Sequence, residues 1–455
     1  MRLAIFSPLP PQRSGIATYT AELLPILAGR HDIDLYVDCL PPRVPPGAAH
    51  VYDAHDFVWR QARNAYDLIV YQLGNAVCHD YMWPYLTRYP GLVVLHDGHV
   101  HHSRARALLS RRRLDAYRTE FAFSHPDTPN AVTELGIRGL LGSLTYFWPM
   151  LHVPVRAARG VAVHNHWFAR QLQDAFPAAN VDAIRMGVAD PLSNEDATRV
   201  MLRSELGFTN ETVVFAAYGG ITPEKRIPQI MRALAAVVSQ VPAARLLLVG
   251  NETDHYDAKT DARTFGVGDH VTFAGYVDDV EFPQYLAAAD VCLCLRWPST
   301  GETSASMLRC LGARKPVIVT DLANGCDLPM LVTPWAWTLS HPGPWGDGTG
   351  QPKPIGVAID IVDEDHSLKI AMQRLAENTS LRRQLGEQAR LYWQANHCLQ
   401  HMATDYDRLV QCVARRPPVT PVLPPHVLEN GTRQAQNLLI PFGITSDVLD
   451  CRRSG

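Results

Sequence analysis

The protein is a chain of 455 residues, of which 47% are hydrophobic and 19% are charged, and its formal net charge is −3. This length exceeds what one hydrophobic core usually organises, so we expect two domains of ~200 residues each. The slightly negative charge argues against a nucleic-acid-binding protein, because such proteins bind through a basic surface. The nine cysteines include no Cys-x-x-Cys pair. That favours a reducing, cytoplasmic compartment over a disulfide framework.

The first half of the chain alternates short apolar runs with segments of helix length. Strands are predicted at residues 2–7, 33–37, 68–71, 92–95 and 160–163. A Pro/Gly/Ser loop and a helix over residues 16–27 follow the first of them. Because a parallel return needs a crossover of about a dozen residues or more, the spacing predicts parallel strands with helices on both faces. The polar stretch 190–210 is predicted to be the hinge.

The same pattern restarts after the hinge. Strands are predicted at residues 212–218, 245–250, 271–274 and 291–295, with helices at 228–240 and 280–289. Two such units would face each other across one cleft, since ligands bind at the carboxyl ends of parallel strands. We predict an irregular insertion at 336–356 and helices over 368–415, the last of which returns to the first domain. The predicted limits are 1–195 and 196–400 for the domains, 401–416 for the returning helix and 417–455 for a Pro-rich tail, extended or partly disordered.

One stretch, RWPSTGETSASMLRCLGARKPVIVTD at residues 296–321, combines features of an anion site. A charged and hydroxylated loop opens an apolar helix, and a β-branched strand follows. The first turn of a helix offers backbone N–H groups without intrahelical partners and the positive end of the dipole. The stretch therefore predicts a pocket for an anion that carries a polyhydroxylated group.

Several segments together resemble the retaining glycosyltransferases of family four, the group 1 transferases. They are PPQRSGIATYTAEL (10–23), YQLGN (71–75), VVLHD (93–97), VHNHWFARQL (163–172), MGVADP (186–191), YGGITPEKRI (218–227), LLLVGN (246–251), FAGYVDD (273–279) and the stretch 296–321. The resemblance implies an α/β protein of GT-B fold, with two facing Rossmann-like domains. It also implies a nucleotide diphosphate sugar as donor, held mainly by the second domain, and a glycan, lipid-linked or small-molecule acceptor on the first. Transfer would retain the anomeric configuration and need neither a metal nor another cofactor.

The resemblance gives Lys225 and Glu302 roles at the donor. The Lys225 ammonium would neutralise the pyrophosphate, and the Glu302 carboxylate would accept hydrogen bonds from sugar hydroxyls. A solvated lysine and a simple helix N-cap box remain the alternatives. The family's arginine after the first glycine is replaced by Gly220, so Arg226 or Arg296 would supply that charge. The predicted donor-binding residues are Gly15, Gly219, Gly220, Lys225, Arg226, Arg296, Gly301, Glu302, Thr303, Ser304, Ala305 and Arg309.

The family's second glutamate, which commonly binds the nucleotide ribose, is absent. Counting back from Pro316 its position is Arg309, and counting eight residues on from Glu302 it is Cys310. Recognition of the nucleotide is therefore an open question at this position.

In the first domain, the resemblance places His96 at the end of VVLHD as an active-site residue, with a structural histidine as the alternative. Together with Lys225 and Glu302, His96 forms the predicted catalytic set. Arg13, Ser14 and Asp97 are predicted to bind the acceptor. No dedicated general base is identifiable, which fits a family thought to let the departing phosphate take the acceptor's proton.

A metal site is the weaker interpretation of the nearby histidines. His99, His101 and His102 join His96 beside Asp97, as metal ligands would, but the resemblance argues against a metal.

Two further interpretations concern activity. A GT-B sugar-nucleotide epimerase would need carboxylates in the cleft, and a catalytically silent partner subunit would fit the missing arginine and glutamate.

Location is predicted from the apolar runs. The apolar run in the start MRLAIFSPLPP is too short for a signal peptide, and no run reaches the roughly 18 apolar residues of a membrane span. A basic segment at 104–118 would lie on anionic lipid if it formed an amphipathic helix, although a solvated helix is the simpler interpretation. We therefore expect a cytoplasmic protein, with peripheral contact at the inner membrane face as the alternative.

Overall fold

The computed structural model describes all residues except 41–44, 49, 192–194, 254–255, 323–326, 333–337, 340–352, 430 and 445–455. Most of the predicted insertion at 336–356 and the end of the tail therefore lie outside the described residues. The described part contains two sheets flanked by helices.

The first sheet is entirely parallel and has the order β3-β2-β1-β4-β5-β6-β7. Its strands are β1 (Arg2–Phe6), β2 (Asp32–Val37), β3 (His50–Asp53), β4 (Leu68–Leu73), β5 (Leu92–Leu95), β6 (Gly160–Val163) and β7 (Val181–Ala183). The five predicted strands are confirmed. The two edge strands, β3 and β7, were missed because they are short, partly exposed and polar, and so lack an apolar run.

The helices around the first sheet are α1 (Gly15–Leu27), α2 (Phe57–Arg63), α3 (Trp83–Leu86), α4 (His101–Leu109), α5 (Leu114–Ser124), α6 (Asn130–Ile137), α7 (His152–Ala157) and α8 (His166–Ala175). The prediction of a single basic helix over 104–118 is wrong, because α4 and α5 are separate helices joined by a turn. Arg104 is buried there, and its guanidinium donates two hydrogen bonds of 2.6 Å to the Glu120 carboxylate. Part of the charge of this segment therefore faces the interior.

The second sheet has the order β10-β9-β8-β11-β12-β15-β13-β14 and is parallel except for the β13–β14 pair. Its strands are β8 (Val213–Tyr218), β9 (Ala244–Val249), β10 (Val271–Gly275), β11 (Val291–Cys294), β12 (Val317–Thr320), β13 (Leu331–Val332), β14 (Thr338–Leu339) and β15 (Gly356–Ile359). Each of its first four strands begins within one residue of its predicted start. The chain therefore has the predicted architecture of two α/β units.

The helices after β7 are α9 (Glu195–Glu205), α10 (Ile227–Val238), α11 (Ala258–Thr264), α12 (Phe282–Ala288), α13 (Ala305–Gly312), α14 (Glu364–Glu377), α15 (Thr379–Asn396), α16 (Leu399–Ala414), α17 (Pro425–Leu428) and α18 (Thr432–Leu439). The polar stretch predicted as a hinge contains α9. Arg199 of α9 pairs with Asp290 at 2.6 Å, so this helix packs with the second sheet.

The last long helix, α16, packs on the first domain. The Tyr406 and Tyr19 hydroxyls are 2.8 Å apart, and Asp405 pairs with Arg185 at 2.8 Å. Beyond α16 the tail continues along the first domain, where Leu423 is buried in its core. One hydrophobic core runs through both domains and includes residues of α1, α13 and α16, so the two domains pack against each other.

None of the helices in the described part of the chain combines the length and the apolar character that crossing a bilayer requires.

Candidate active site between the two domains

A cavity of about 460 Å³ lies between the two domains, at the carboxyl ends of β1, β4 and β5 on one side and of β8 and β11 on the other. Its volume is within the range of small-molecule sites. Ten of the predicted site residues line it: Ser14, Gly15, His96, Asp97, Lys225, Arg296, Glu302, Thr303, Ser304 and Ala305.

Lys225 is positioned by the loop that follows β8. Its ammonium donates a hydrogen bond to the carbonyl of Tyr218, the last residue of that strand. Gly219 has a φ of +83°, which favours glycine, and a Cβ there would lie 2.6 Å from the Lys225 Nζ, so a side chain at this position would displace the ammonium. Burial, with a smaller contribution from the charge of Arg296, lowers the pKa of Lys225 to about 8. Burial removes hydration from the ammonium, so an anion bound beside it would stabilise its charged form.

Arg296 and Glu302 form an ion pair on the same wall of the cavity. The second carboxylate oxygen of Glu302 accepts hydrogen bonds from the backbone N–H of Thr300, at 2.6 Å, and from its hydroxyl. The carboxylate is therefore held by its own loop and does not extend freely into the cavity.

The start of α13 completes this wall. Ser304 is the N-cap residue, and its hydroxyl accepts a hydrogen bond of 3.2 Å from the Met307 N–H. Thr303, Ser304 and Ala305 all line the cavity. The positive end of the α13 dipole therefore faces the same space as Lys225 and Arg296.

Arg226 and Arg309 bind partners elsewhere, and neither lines the cavity. The Arg226 guanidinium pairs with Glu364, with one hydrogen bond of 2.7 Å from Nε. Arg309 donates a hydrogen bond of 2.6 Å to Glu22 on α1, which ties α13 to the first domain. Arg226 and Arg296 were the two cations expected to replace the missing arginine, and the geometry favours Arg296 because it lines the cavity. Arg309 instead forms a contact between the domains.

Four more residues of the predicted set, Arg13, Gly219, Gly220 and Gly301, also lie outside the lining. The Arg13 guanidinium lies over the Tyr276 ring, 4.3 Å from its centre, in a second contact between the domains. Gly301 contributes its carbonyl to the interdomain contact described below.

His96 follows β5 and lies on the first-domain side of the cavity. Its Nε2 donates a hydrogen bond of 2.8 Å to Gln72 Oε1, and its ring meets the edge of Tyr19 at 4.7 Å between centres. Burial, with the neighbouring His164, lowers the pKa of His96 well below its ordinary value. The imidazole is therefore neutral near pH 7.

A chain of hydrogen bonds connects His96 to α16. Gln72 Nε2 donates to the Tyr406 hydroxyl at 3.0 Å, which in turn lies 2.8 Å from the Tyr19 hydroxyl. The sequence did not reveal this connection, because Gln72 and Tyr406 are 334 positions apart. The only available signal was the place of Gln72 in the segment YQLGN near the end of a strand.

Asp97 lies beside the second-domain charges. Its Oδ2 accepts a hydrogen bond of 2.8 Å from the Asn75 N–H. Burial raises the pKa of Asp97, the Asn75 hydrogen bond lowers it, and the nearby Glu302 raises it further. Asn75 was missed as a cavity residue, although it follows β4 at the ligand-binding edge of the sheet.

The two domains touch directly beside the cavity. A Cβ at Gly98 would lie only 1.8 Å from the Thr300 carbonyl oxygen, so this contact requires glycine. Asn165, the N-cap of α8, donates to the Gly301 carbonyl at 2.8 Å and to the Thr303 hydroxyl at 3.2 Å. The first domain therefore holds the loop that carries Glu302.

The neighbouring histidines have separate partners. His99 bonds to the Thr145 carbonyl at 2.8 Å, His101 to the Tyr117 hydroxyl at 2.7 Å, and His102 to the Thr145 hydroxyl at 3.0 Å. Within the described ranges, no group of three or more His, Cys, Asp or Glu side chains has an arrangement that could hold a metal ion.

The chain is similar to known proteins in part of its sequence and in its fold. The family model described as "Glycosyl transferases group 1" matches residues 212–333. Mannosylfructose-phosphate synthase of Agrobacterium fabrum is 31% identical over 134 residues, which span 28% of this chain and 28% of that protein. A GDP-mannose-dependent phosphatidylinositol monomannoside mannosyltransferase of Corynebacterium glutamicum is 31% identical over 113 residues, or 25% and 28% of the two chains. The matches thus span little more than a quarter of these relatives.

The structural likeness extends over nearly the whole chain. The structure of Anabaena HepE in complex with UDP and glucose superimposes with a TM-score of 0.60 at 14% identity, covering 90% of this chain and 100% of that one. At this identity the likeness establishes the fold alone. Residues 212–333 match the family model of the group 1 glycosyl transferases, and the described chain has the GT-B fold of this solved structure.

Proposed function

We propose that this protein is a glycosyltransferase that moves a sugar from a nucleotide diphosphate sugar to an acceptor hydroxyl, with retention of the anomeric configuration. One observation carries the proposal. Lys225, Arg296 and the start of α13 converge on one wall of the interdomain cavity, opposite the uncharged His96. The family match over 212–333 and the nucleotide in the HepE structure support the same donor class.

The donor phosphates lie against the Lys225 ammonium and the first N–H groups of α13. When the bond between sugar and phosphate breaks, negative charge develops on the leaving nucleotide, and these fixed positive groups stabilise it. Because cations of the chain already face this position, we propose transfer without a metal ion or another cofactor.

Glu302 binds the donor sugar through its hydroxyls. In the absence of donor, Arg296 and Thr300 occupy the two carboxylate oxygens. Donor binding moves Arg296 from Glu302 to the phosphate, which frees one oxygen to accept a hydrogen bond from the sugar. This exchange links recognition of the phosphate to recognition of the sugar.

His96 acts as a hydrogen-bonding group and not as the general base. Its lowered pKa makes the ring a weak base, and its Nε2 proton is already donated to Gln72. The acceptor's proton therefore passes to the departing phosphate oxygen, on the same face of the sugar on which the new bond forms.

The test is incubation of the protein with UDP-, GDP- and dTDP-sugars, GDP-mannose and UDP-glucose among them, with and without cell extract as the source of acceptor. Released nucleotide is measured, and retention is read from the anomeric NMR signals of the product. Acceptor-dependent release supports the proposal. Binding without turnover would instead indicate a silent partner subunit, and interconversion of donor sugars an epimerase.

We propose that the reaction takes place in the cytoplasm. The described cysteines are all free, including Cys292, Cys294 and Cys310 in the second domain, as expected in a reducing compartment. If the acceptor is lipid-linked, we also propose peripheral contact with the inner membrane face. Sedimentation of the protein with anionic vesicles tests this contact.

A further inference from the structure

A second cavity, of about 520 Å³, opens on the first domain next to the cavity of about 460 Å³ between the domains, which we call the transfer cavity. We call it the side pocket. Its wall is formed by α4, the helix α6 with the turn that follows it, and a short 3₁₀ helix at Gly142–Phe147, together with Tyr117 of α5 and Glu224 of the second domain. Polar and aromatic groups line it: His101, His102, Arg106, Tyr117, Ser143, Thr145, Tyr146 and Glu224.

The side pocket and the transfer cavity are neighbours. Glu224 lines the side pocket while Lys225, the next residue of the chain, lines the transfer cavity. On the first-domain side, Asn75 lines the transfer cavity and its amide lies 3.3 Å from the His99 ring. Tyr146 stacks on the same His99 ring, with 4.9 Å between the ring centres, and lines the side pocket. A molecule in the side pocket is therefore placed beside the donor.

The lining carries almost no net charge. Arg106 is its only arginine, with Asp80 nearby at 3.5 Å, and Glu224 is its only carboxylate. Burial lowers the pKa of His101 to about 4 and also lowers the pKa of His102. Neutral imidazoles and hydroxyls both donate and accept hydrogen bonds, as sugar hydroxyls do, and the Tyr146 ring offers a flat surface for the C–H face of a sugar.

We infer that the side pocket binds the acceptor, and that the group it recognises is an uncharged sugar or polyol. The inference rests on the proposed glycosyl transfer and specifies its second substrate. The volume of the side pocket suits a mono- or disaccharide. A phosphorylated sugar would need more cations than the lining provides. Because Glu224 comes from the second domain, both domains contribute to the side pocket.

The chain offers a matched pair of variants on one short helix. Ser143 lines the side pocket, and Ser143→Trp fills it without entering the core. Leu144, its neighbour, is 53% exposed and lies outside the lining, so Leu144→Trp adds the same bulk on the solvent side.

Binding is read by saturation-transfer NMR with D-glucose, D-mannose, D-fructose and myo-inositol, each beside its phosphate monoester, in the presence of UDP or GDP. We expect saturation of at least one uncharged sugar with the wild type and Leu144→Trp, and its loss with Ser143→Trp. Three results overturn the inference: no sugar of the panel binds, only phosphorylated sugars bind, or Ser143→Trp binds sugar as the wild type does.

A kinetic measurement separates this inference from the proposed function. With an active donor, Ser143→Trp should raise the acceptor KM by about tenfold or more relative to Leu144→Trp, a larger change than in the donor KM. If no donor releases nucleotide with the wild type, the proposed transfer itself fails. If release occurs and both variants have the same acceptor KM, the transfer stands and the side pocket is not the acceptor site.

Discussion

The two walls of the transfer cavity differ in charge. The second domain contributes Lys225, the Arg296–Glu302 pair and the start of α13, whereas the first domain contributes the neutral network of His96, Gln72 and two tyrosines. Burial acts on both walls, but with different results. It leaves Lys225 a cation with a pKa of about 8 and makes the His96 imidazole neutral. This difference fits the proposed donor, which carries phosphate, and the proposed acceptor, which carries hydroxyls.

Loss of the lysine should have the largest effect, because it removes the ammonium proposed to stabilise the phosphates of the leaving nucleotide. Lys225→Met keeps the length of the side chain and is expected to reduce kcat/KM for the donor by ~10²–10³-fold, as for loss of one group that stabilises developing charge. Nucleotide release measures the effect. Lys259→Met, at a lysine that is 59% exposed on the same domain, is the control and should retain activity. A Lys225→Met protein as active as the wild type would contradict the assignment of the phosphate site.

Glu302→Gln tests whether the carboxylate binds the sugar. Hydrogen bonds to charged groups contribute ~1.5–3 kcal/mol, so we expect a ~10–100-fold loss of turnover with UDP- or GDP-sugar. Binding of UDP or GDP alone, measured by calorimetry, should change much less. Glu387→Gln, at a carboxylate that is 64% exposed, is the matched control. Equal losses for the free nucleotide and the nucleotide sugar would contradict the assignment of Glu302 to the sugar.

Lys225 and His96, on opposite walls of the transfer cavity, should affect the pH dependence of binding and turnover differently. A bound diphosphate raises the pKa of Lys225 above its free value of about 8, so binding takes up a proton once the free lysine is deprotonated. Nucleotide affinity should therefore be constant below pH ~8 and fall above it, by up to about tenfold per pH unit. Lys225→Met should abolish this fall. The pKa of His96 lies well below its ordinary value, so His96 should cause no change in turnover between pH 8 and pH 6.5. A fall in turnover over that interval, assignable to His96 by NMR, would contradict its neutral role.

The smallest effect is expected from the α16 end of the neutral network. Tyr406→Phe removes the hydroxyl that accepts from Gln72 and leaves that buried amide with one partner fewer, which costs ~1–3 kcal/mol of stability. Because Gln72 also holds His96, turnover should fall several-fold as well. Tyr392→Phe loses a buried hydroxyl that donates to the Asp327 carbonyl at 3.3 Å, away from the cavity, and serves as control. Melting temperature and kcat together separate the two effects, since only Tyr406→Phe should change both.

Local patterns were sufficient to predict most of the fold. Apolar runs located the buried strands, because a strand covered on both faces is apolar along its length. The same patterns failed for β3 and β7, which are partly exposed edges. They also failed at 104–118, where the alternation of basic and apolar residues suggested one helix. Arg104 has a buried partner in Glu120, and no local pattern reveals this.

The sequence by itself indicated which segments meet at the cavity: a lysine after a Gly-Gly loop, a glutamate before a capped helix, and a histidine at the end of a strand. The carboxyl ends of parallel strands share the ligand-binding edge of a sheet, and the family resemblance of these segments gave the three residues their predicted roles. Only the tertiary structure decided the partners of the charged residues. Arg309 pairs with Glu22, 287 positions away, and Arg226 with Glu364, 138 positions away. Which of several cations remains available to a phosphate depends on such pairs, and they form only when distant segments pack together.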